Sequence, residues 1–371
     1  MKRYDVCVRG SGAVGRSLAL ALARQGLQVA LQGSGAPPAG GPDVRAYALN
    51  AGSVALLTEL RVWDALPRDA ATAVYDMRVE GDARGAHVDF SAWQQQVREL
   101  AWIVDAAALD AALADAVRFA PHIAERVPSE PVDATLVAVC EGKASASRDA
   151  LHTAWRRHDY GQTAVAARLV SDAPHRGRAL QWFRAPDILA LLPFDRPQPE
   201  RSYALVWSLP AARAHEAMAL DAPAFEQALA DATQGAAGAL RLGSERAAWP
   251  LALARADRWC GPGWVLLGDA AHVVHPLAGQ GLNLGLADVR ALARLIAARE
   301  PWRSLGDEKL LRRYVRERAW PTRAMSGITD GLLQLFASGN AGAKELRNRG
   351  LDLVDAVPPL KRWLTARALD S

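Results

Sequence analysis

The chain has 371 residues, of which 50% are hydrophobic and 23% charged. That composition excludes disorder and provides enough apolar surface for two domains, or for one large α/β domain with an insertion. The 44 basic and 40 acidic residues leave a net charge of +4, too small an excess to propose nucleic acid as a partner.

Tyr4 to Val8 reads as a short apolar strand, followed by Gly10-Ser11-Gly12-Ala13-Val14-Gly15. A helix carrying Leu18 and Leu22 then runs to Gly26, and Val29 to Leu31 make a second strand. This is GxGxxG in the βαβ context that a dinucleotide fingerprint requires, with glycines that let a pyrophosphate approach the helix N-terminus. An acid about 20 residues further on ordinarily bonds the ribose hydroxyls. Gln32 stands there, and its amide can bond one hydroxyl but lacks the charge-assisted pair. The turn-rich GSGAPPAGGPD that follows is an exposed loop.

Asp43 to Leu49 leads into a helix with Leu56, Leu57 and Leu60. Val74 to Val79 and His87 to Phe90 read as strands outside the nucleotide core, and Trp102-Ile103-Val104 precedes a helix from about Ala107. The segment between Val117 and Thr135 is short and proline-broken, and Thr135 to Val139 is the next strand. From about Tyr160 to Pro210 the runs TAVAARLV, ALQWF, ILALLPF and SYALVWSL predict an antiparallel sheet in a second domain. Trp182, Phe183, Phe194, Trp207 and Trp249 are either plain core or one face of a flat apolar pocket.

Trp264 to Leu295 organises the rest. An apolar strand ends abruptly at Gly268-Asp269, a loop follows, and a helix opens at about Gly281 with Leu282, Leu286, Val289, Leu292 and Leu295 at helical spacing. A helix start presents unpaired N–H groups and the positive end of the macrodipole, and Gly279 and Gly281 carry no side chain to keep a flat ligand away. Such a site suits a ligand that gains negative charge while bound.

The C-terminal third reads as helical. Arg290 to Arg323 holds ten basic residues against four acidic, either a solvated face or a surface meeting anionic lipid or an acidic partner. Cys7, Cys140 and Cys260 are an odd number in apolar surroundings and read as reduced core cysteines, which implies a cytoplasmic protein. No stretch approaches the apolar length of a membrane span, so contact with the inner face of a membrane is peripheral at most. No His, Cys or carboxylate spacing calls for a metal.

GDAAH, then Pro276, then GQGLNLGLADV resembles the second flavin motif of the flavoprotein aromatic hydroxylases, the class A flavoprotein monooxygenases. Within them, KELRNRGLDLVDAVPPLKRWL resembles the ubiquinone-biosynthesis hydroxylases. The resemblance implies an α/β fold with a glutathione-reductase-type FAD domain (1–73, 101–155 and 246–300). An inserted antiparallel substrate domain (74–100 and 156–245) and a helical C-terminal region (301–371) complete it. It also implies that Gly10, Gly12, Ala13, Val14 and Gly15 cradle FAD and that Arg45 reaches it near the pyrophosphate. Gly268 and Asp269 would meet the ribityl chain and Pro276 would wall the isoalloxazine ring. The backbone of Gly279, Gln280, Gly281, Leu282 and Asn283 would hold the pyrimidine end. Pro276, Gly279, Gln280 and Gly281 would line the reacting flavin.

The family's Asp-Gly turn touches FAD and is implicated in the nicotinamide reaction. Here Gly142, Ser145 and Arg148 keep register but Glu141 replaces the aspartate. Ala106 replaces a polar cofactor contact, and the segment from Val117 to Thr135 is too short for the family's β-meander. The implied reaction uses NADH or NADPH as a transient reductant, with no second GxGxxG, and hydroxylates an electron-rich phenol with O2 through a flavin C4a-hydroperoxide. His272 and His275 read as structural, and no side chain reads as a general base. Three functions stand: hydroxylation of a polyprenylated phenol in ubiquinone biosynthesis, hydroxylation of a small soluble aromatic, or an FAD-binding scaffold without turnover. Peripheral membrane or biosynthetic-complex contact would run through the basic C-terminal helices.

Overall fold

A computed structural model describes residues 3–33, 43–81, 87–274 and 280–319. The chain opens with β1 (Tyr4–Arg9), α1 (Ala13–Ala23) and β2 (Val29–Gln32), then β3 (Ala46–Leu49), α2 (Ala51–Glu59) and β4 (Ala71–Val74). β5 (Asp76–Glu80), β6 (His87–Ser91) and the one-turn α3 (Ala92–Gln95) follow. Next come β7 (Ala101–Asp105), α4 (Ala106–Arg118), β8 (Ile123–Arg126), β9 (Ala134–Val139) and α5 (Ala146–Ala150). The long β10 (Trp155–Ser171) is followed by the meander β11 (Arg178–Arg184), β12 (Asp187–Phe194) and β13 (Ser202–Pro210), whose last strand returns to pair with β10, and then by α6 (Ala211–Ala219), α7 (Ala222–Thr233) and β14 (Leu240–Leu242). The chain continues through β15 (Ala247–Ala256), β16 (Cys260–Gly261), β17 (Trp264–Leu266), β18 (His272–Val273) and α8 (Gln280–Ala297). A last helix, α9, covers 308–319.

Three sheets result. The first has the order β16-β17-β9-β1-β2-β8 and is parallel from β17 to β8. Val6, Val8, Leu31, Leu136, Ala138 and Val265 alternate onto one face of it, where α1, α4 and α8 bury them. The second is nine-stranded, β18-β15-β10-β13-β12-β11-β5-β6, with β14 on β10. A small third sheet, β3-β7-β4, lies between them in the chain.

The segment between Val117 and Thr135, read as too short for a β-meander, yields one strand, β8, which docks parallel on β2. One boundary changes. β15, which falls after the expected return to the FAD domain at 246, instead pairs with β10 from Trp155 to Ala166. Its ten residues find a complete antiparallel partner there, and the chain rejoins the parallel sheet only at β16 and β17. Among the described residues no helix is long and apolar enough to cross a membrane.

Candidate functional site

The site begins where β1 turns into α1. Gly10 adopts φ +106°, and a Cβ there would sit 2.3 Å from the Cys140 carbonyl oxygen, so only glycine lets the loop press against the end of β9. Gly12 is the N-cap of α1 and makes no side-chain cap, and a Cβ on it would meet nothing within 4 Å. The amides of Ala13, Val14 and Gly15 precede the first intrahelical bond, from Arg16 N to Gly12 O, and stand at the positive end of the helix, which is what a pyrophosphate requires.

Val14 joins this loop to the second motif. A Cβ on Gly285 of α8 would lie 2.6 Å from Val14 Cγ2, and one on Gly268 would lie 3.2 Å from it. The two glycines form the hollow into which Val14 packs, so α1 and α8 run against each other and both N-termini border one cleft. Gly281, in the first turn of α8, also has nothing within 4 Å of a Cβ position. Leu282 packs on the main core. The Asn283 side chain is spent on the scaffold: Nδ2 donates to Ala48 O at 2.8 Å, and Oδ1 accepts from Asn50 N (3.1 Å) and Ser53 Oγ (2.7 Å). Only its backbone remains for a ligand. Pro276, Gly279 and His275 lie outside the described residues, as does the side chain of Gln280.

Gly268 adopts φ +57° at the end of β17 and turns the chain through Asp269. The Asp269 carboxylate is half-buried and accepts no hydrogen bond among the described residues. Burial pushes its carboxyl up from the usual range, with Lys143 and His272 pulling it back. An unsatisfied acceptor at Asp269, the uncapped start of α1 and two open glycines fit FAD: ribityl hydroxyls would satisfy Asp269, and the pyrophosphate would meet α1.

Behind this turn lies a buried ionic cluster. Asp288 of α8 is inaccessible to solvent; it accepts Gly268 N at 3.0 Å, His272 Nε2 at 2.7 Å and Arg318 Nε at 2.8 Å. Burial opposes its charge, but His272 and Arg318 outweigh burial and hold the carboxyl below the usual range. His272 is thus structural, stacked at 5.0 Å from Trp259. Sequence reading missed Asp288 and Arg318. The available signal was an acid within the apolar stripe of α8, since Leu284 one turn earlier is fully buried.

The remaining expected contacts are engaged elsewhere. Arg45 makes a bidentate pair with Asp43 (2.8 and 2.7 Å), which holds the Asp43 carboxyl down, and no contact yet reaches toward the glycine loop. The Arg45 carbonyl accepts from Ala106 N (3.2 Å) and Arg168 Nη2 (2.6 Å). Arg168, in the apolar half of β10, is buried with its Cζ 4.1 Å from the Phe194 ring centre, and burial lowers its pKa to about 10. Ala106 is buried in the first turn of α4. Glu141 folds back over the start of α5, accepting Ser145 Oγ (2.8 Å), Ser147 N (2.9 Å) and Ser147 Oγ (2.6 Å), while Gly142 takes the left-handed turn at φ +82°. Both carboxylate oxygens of Glu141 are occupied. Gln32 is also committed: its Oε1 accepts Cys7 Sγ at 3.4 Å, and its Nε2 donates to Val127 O (3.3 Å) and Glu130 O (2.7 Å). The expected bond from Gln32 to ribose has no free donor or acceptor behind it.

The aromatic residues of the second sheet divide by face. Trp182, Leu189, Trp207 and Val165 are cross-strand neighbours, and α6 and α7 cover them with Phe225 and Leu229. Trp182 and Trp207 are therefore core, not pocket. Phe183, Phe194 and Trp249 lie on the opposite face, where Phe194 and Leu192 pack on Val74 and Ile103 of the small sheet. Further along that face the row Gln181, Ala190, Val206, Ala166 and Ala247 carries small side chains, and all but Ala166 are half-buried.

Residues 3–326 match the FAD binding domain family, and the chain belongs to it. It is an FAD-dependent monooxygenase of the aromatic-hydroxylase type. It is 29% identical to the ubiquinone hydroxylase UbiL of Rhodospirillum rubrum, over 99% of this chain and 90% of that one. Its identity to the 3-demethoxyubiquinol 3-hydroxylase of Escherichia coli is also 29%, over 98% of each. Among solved structures, PqsL of Pseudomonas aeruginosa in complex with 2-aminobenzoylacetate superimposes with a TM-score of 0.78 at 20% identity, covering 95% of this chain and 100% of that one. The p-nitrophenol 4-monooxygenase PnpA of Pseudomonas putida does so at 0.77 and 17%, covering 98% and 97%. At those identities the two structures establish the fold alone.

Proposed function

We propose that the protein hydroxylates a phenolic ring bearing a polyprenyl chain, with NADH or NADPH and O2, as a step of ubiquinone biosynthesis. The observation that carries this reading is the similarity to ubiquinone hydroxylases along nearly the whole chain. The half-buried Ala190, Val206 and Ala247, which share a row with Gln181, would form the trough for an isoprenoid chain. Bound FAD supplies the electron transfer and the activation of O2. The chain's own residues bind and orient. The amides at the start of α1 hold the pyrophosphate, and Asp269 accepts from the ribityl chain. The positive end of the α8 dipole would stabilise negative charge on the reduced ring. Asp288 keeps the Gly268 N–H, and with it the Asp269 turn, in place. The substrate sheet excludes water from the reacting face.

The test compares NAD(P)H-driven hydroxylation of a prenylated phenol with that of its tail-less parent. Each buried methylene contributes about 0.8 kcal/mol, so KM should fall steeply with tail length until the trough is full. A preference for the tail-less phenol would overturn the reading. For access to a bilayer or a biosynthetic complex, we assign the outer face of α9. Lys309, Arg312, Arg313 and Arg316 are exposed there at helical spacing, and only Arg312 has an ion-pair partner among the described residues, Glu308. Salt-sensitive sedimentation with anionic vesicles is the expected signature.

A further inference from the structure

The outer face of α9 is hollow. Arg303, from the loop before the helix, and Lys309, Arg312, Arg313 and Arg316 line one cavity of about 330 Å³, and among the described residues its lining is these five cations alone. Glu300 (2.8 Å) and Asp307 (3.0 Å) hold Arg303, and Glu308 (2.7 Å) holds Arg312. Lys309, Arg313 and Arg316 are exposed and have no ion-pair partner among the described residues.

This arrangement is costly for the free protein. Each of the four helical cations lies three or four residues from two others, the spacing at which like charges repel across a helix surface. Lys309 also falls in the first turn of α9, where the macrodipole disfavours a cation. The helix cannot turn to separate them, because Leu310, Leu311 and Tyr314 on its inner face are fully buried. A multivalent anion in the cavity would relieve both costs.

Trp302 indicates where that anion comes from. Its ring is 76% exposed beside the cavity, with Arg303 Cζ 4.6 Å from the ring centre. An exposed indole flanked by cations is the pairing that anchors proteins at the headgroup level of a bilayer. A headgroup with a single phosphodiester charge would leave two of the three unpaired cations unmatched. We infer that the cavity binds a phospholipid headgroup bearing two phosphates, with Trp302 entering the interface beside it. The inference rests on the bilayer access assigned to α9 above and names the lipid class that this face selects.

The experiment sediments the full-length, FAD-loaded protein with phosphatidylcholine vesicles of equal total negative charge. The charge is supplied either by cardiolipin, with two phosphates per headgroup, or by phosphatidylglycerol, with one. Cardiolipin vesicles should bind about tenfold more tightly. The double variant Arg313→Gln/Arg316→Gln should weaken that binding about thirtyfold. Arg98→Gln/Arg118→Gln, which removes the same charge from exposed positions elsewhere, should change it by less than about twofold. Equal binding to the two vesicles, or equal losses in the two double variants, would show diffuse surface attraction and overturn the assignment. Calorimetric titration with inorganic pyrophosphate separates a lipid from a soluble source. Trp302→Ala should weaken binding to cardiolipin vesicles and leave pyrophosphate binding unchanged. Pyrophosphate binding without vesicle binding would assign the cavity to a soluble diphosphate and overturn the lipid assignment. None of these readouts involves the aromatic substrate, so they fail or succeed apart from the hydroxylation reading.

Discussion

Replacing Arg318 with methionine should uncouple α9 from the flavin loop. The side chain is 8% exposed; Nε donates to Asp288 at 2.8 Å, and Nη2 donates to the Leu284 carbonyl at 3.3 Å. Methionine fills much of the same volume but leaves Asp288 fully buried with His272 as its only cation among the described residues. Removing one partner of a buried ion pair costs about 3–5 kcal/mol, a large share of a net stability of roughly 5–15 kcal/mol. At about 2–4 °C per kcal/mol for a domain of this size, melting should fall on the order of 10 °C. The effect should also reach the cofactor, because the Asp288 oxygen that accepts from His272 also accepts the Gly268 N–H. Thermal melts with and without FAD, paired with FAD dissociation constants, separate the two effects. Arg318→Lys retains the charge without the fork and should recover part of the stability. A methionine variant melting within a degree or two of wild type would refute the energetic argument. One that melts low yet binds FAD normally would refute transmission through Gly268.

The same cluster sets a pH dependence. The folded Asp288 carboxyl lies below its unfolded value, so its stabilisation is complete above about pH 4 and is lost as pH falls through the folded value. Arg318→Met should move the acid-unfolding midpoint upward in a pH titration followed by circular dichroism. Asp269 has the opposite sign: its folded carboxyl is raised, so ionising it erodes stability as pH rises from about 4 toward the folded value. Asp269→Asn should therefore melt higher than wild type as apoprotein at neutral pH while binding FAD more weakly, and a parallel loss of both would contradict this. Gly285→Ala places a methyl 2.6 Å from Val14 Cγ2 and should cost about 1–3 kcal/mol by overpacking, with FAD content falling as α1 and α8 separate. Denaturant titration and the absorbance of the purified protein check it.

What was legible in the sequence was what local spacing encodes. The β1–α1–β2 unit and the strand-loop-helix around Asp269 carry their glycines and apolar periods within a few dozen residues. The side-chain commitments of Gln32 and Asp288 were not legible, because their partners are 95 and 98 residues away in one case and 30 in the other. Trp182 and Phe183 show the same limit. Alternation dictates that adjacent residues point to opposite faces, but only the docking of α6 and α7 decides which face becomes core. β15 likewise finds its sheet through β10, some 90 residues upstream in the paired register.

The placement of β1 orders events during synthesis. Its neighbours in the parallel sheet are β2 and, from the other side, β9, in the register Tyr4 to Ala134. β17 adds to β9 only after Leu266 has been made, and α8 covers the face later still. β1 thus waits for β17, more than 250 residues later, before its layer is complete, whereas β11, β12 and β13 are consecutive and pair on emergence. The β11–β13 hairpins should therefore form before the nucleotide-binding layer, leaving β1 and β2 without β9 and β17 in the interim. Chaperone dependence and early aggregation should map to β1 and β2 rather than to the aromatic-rich middle of the chain.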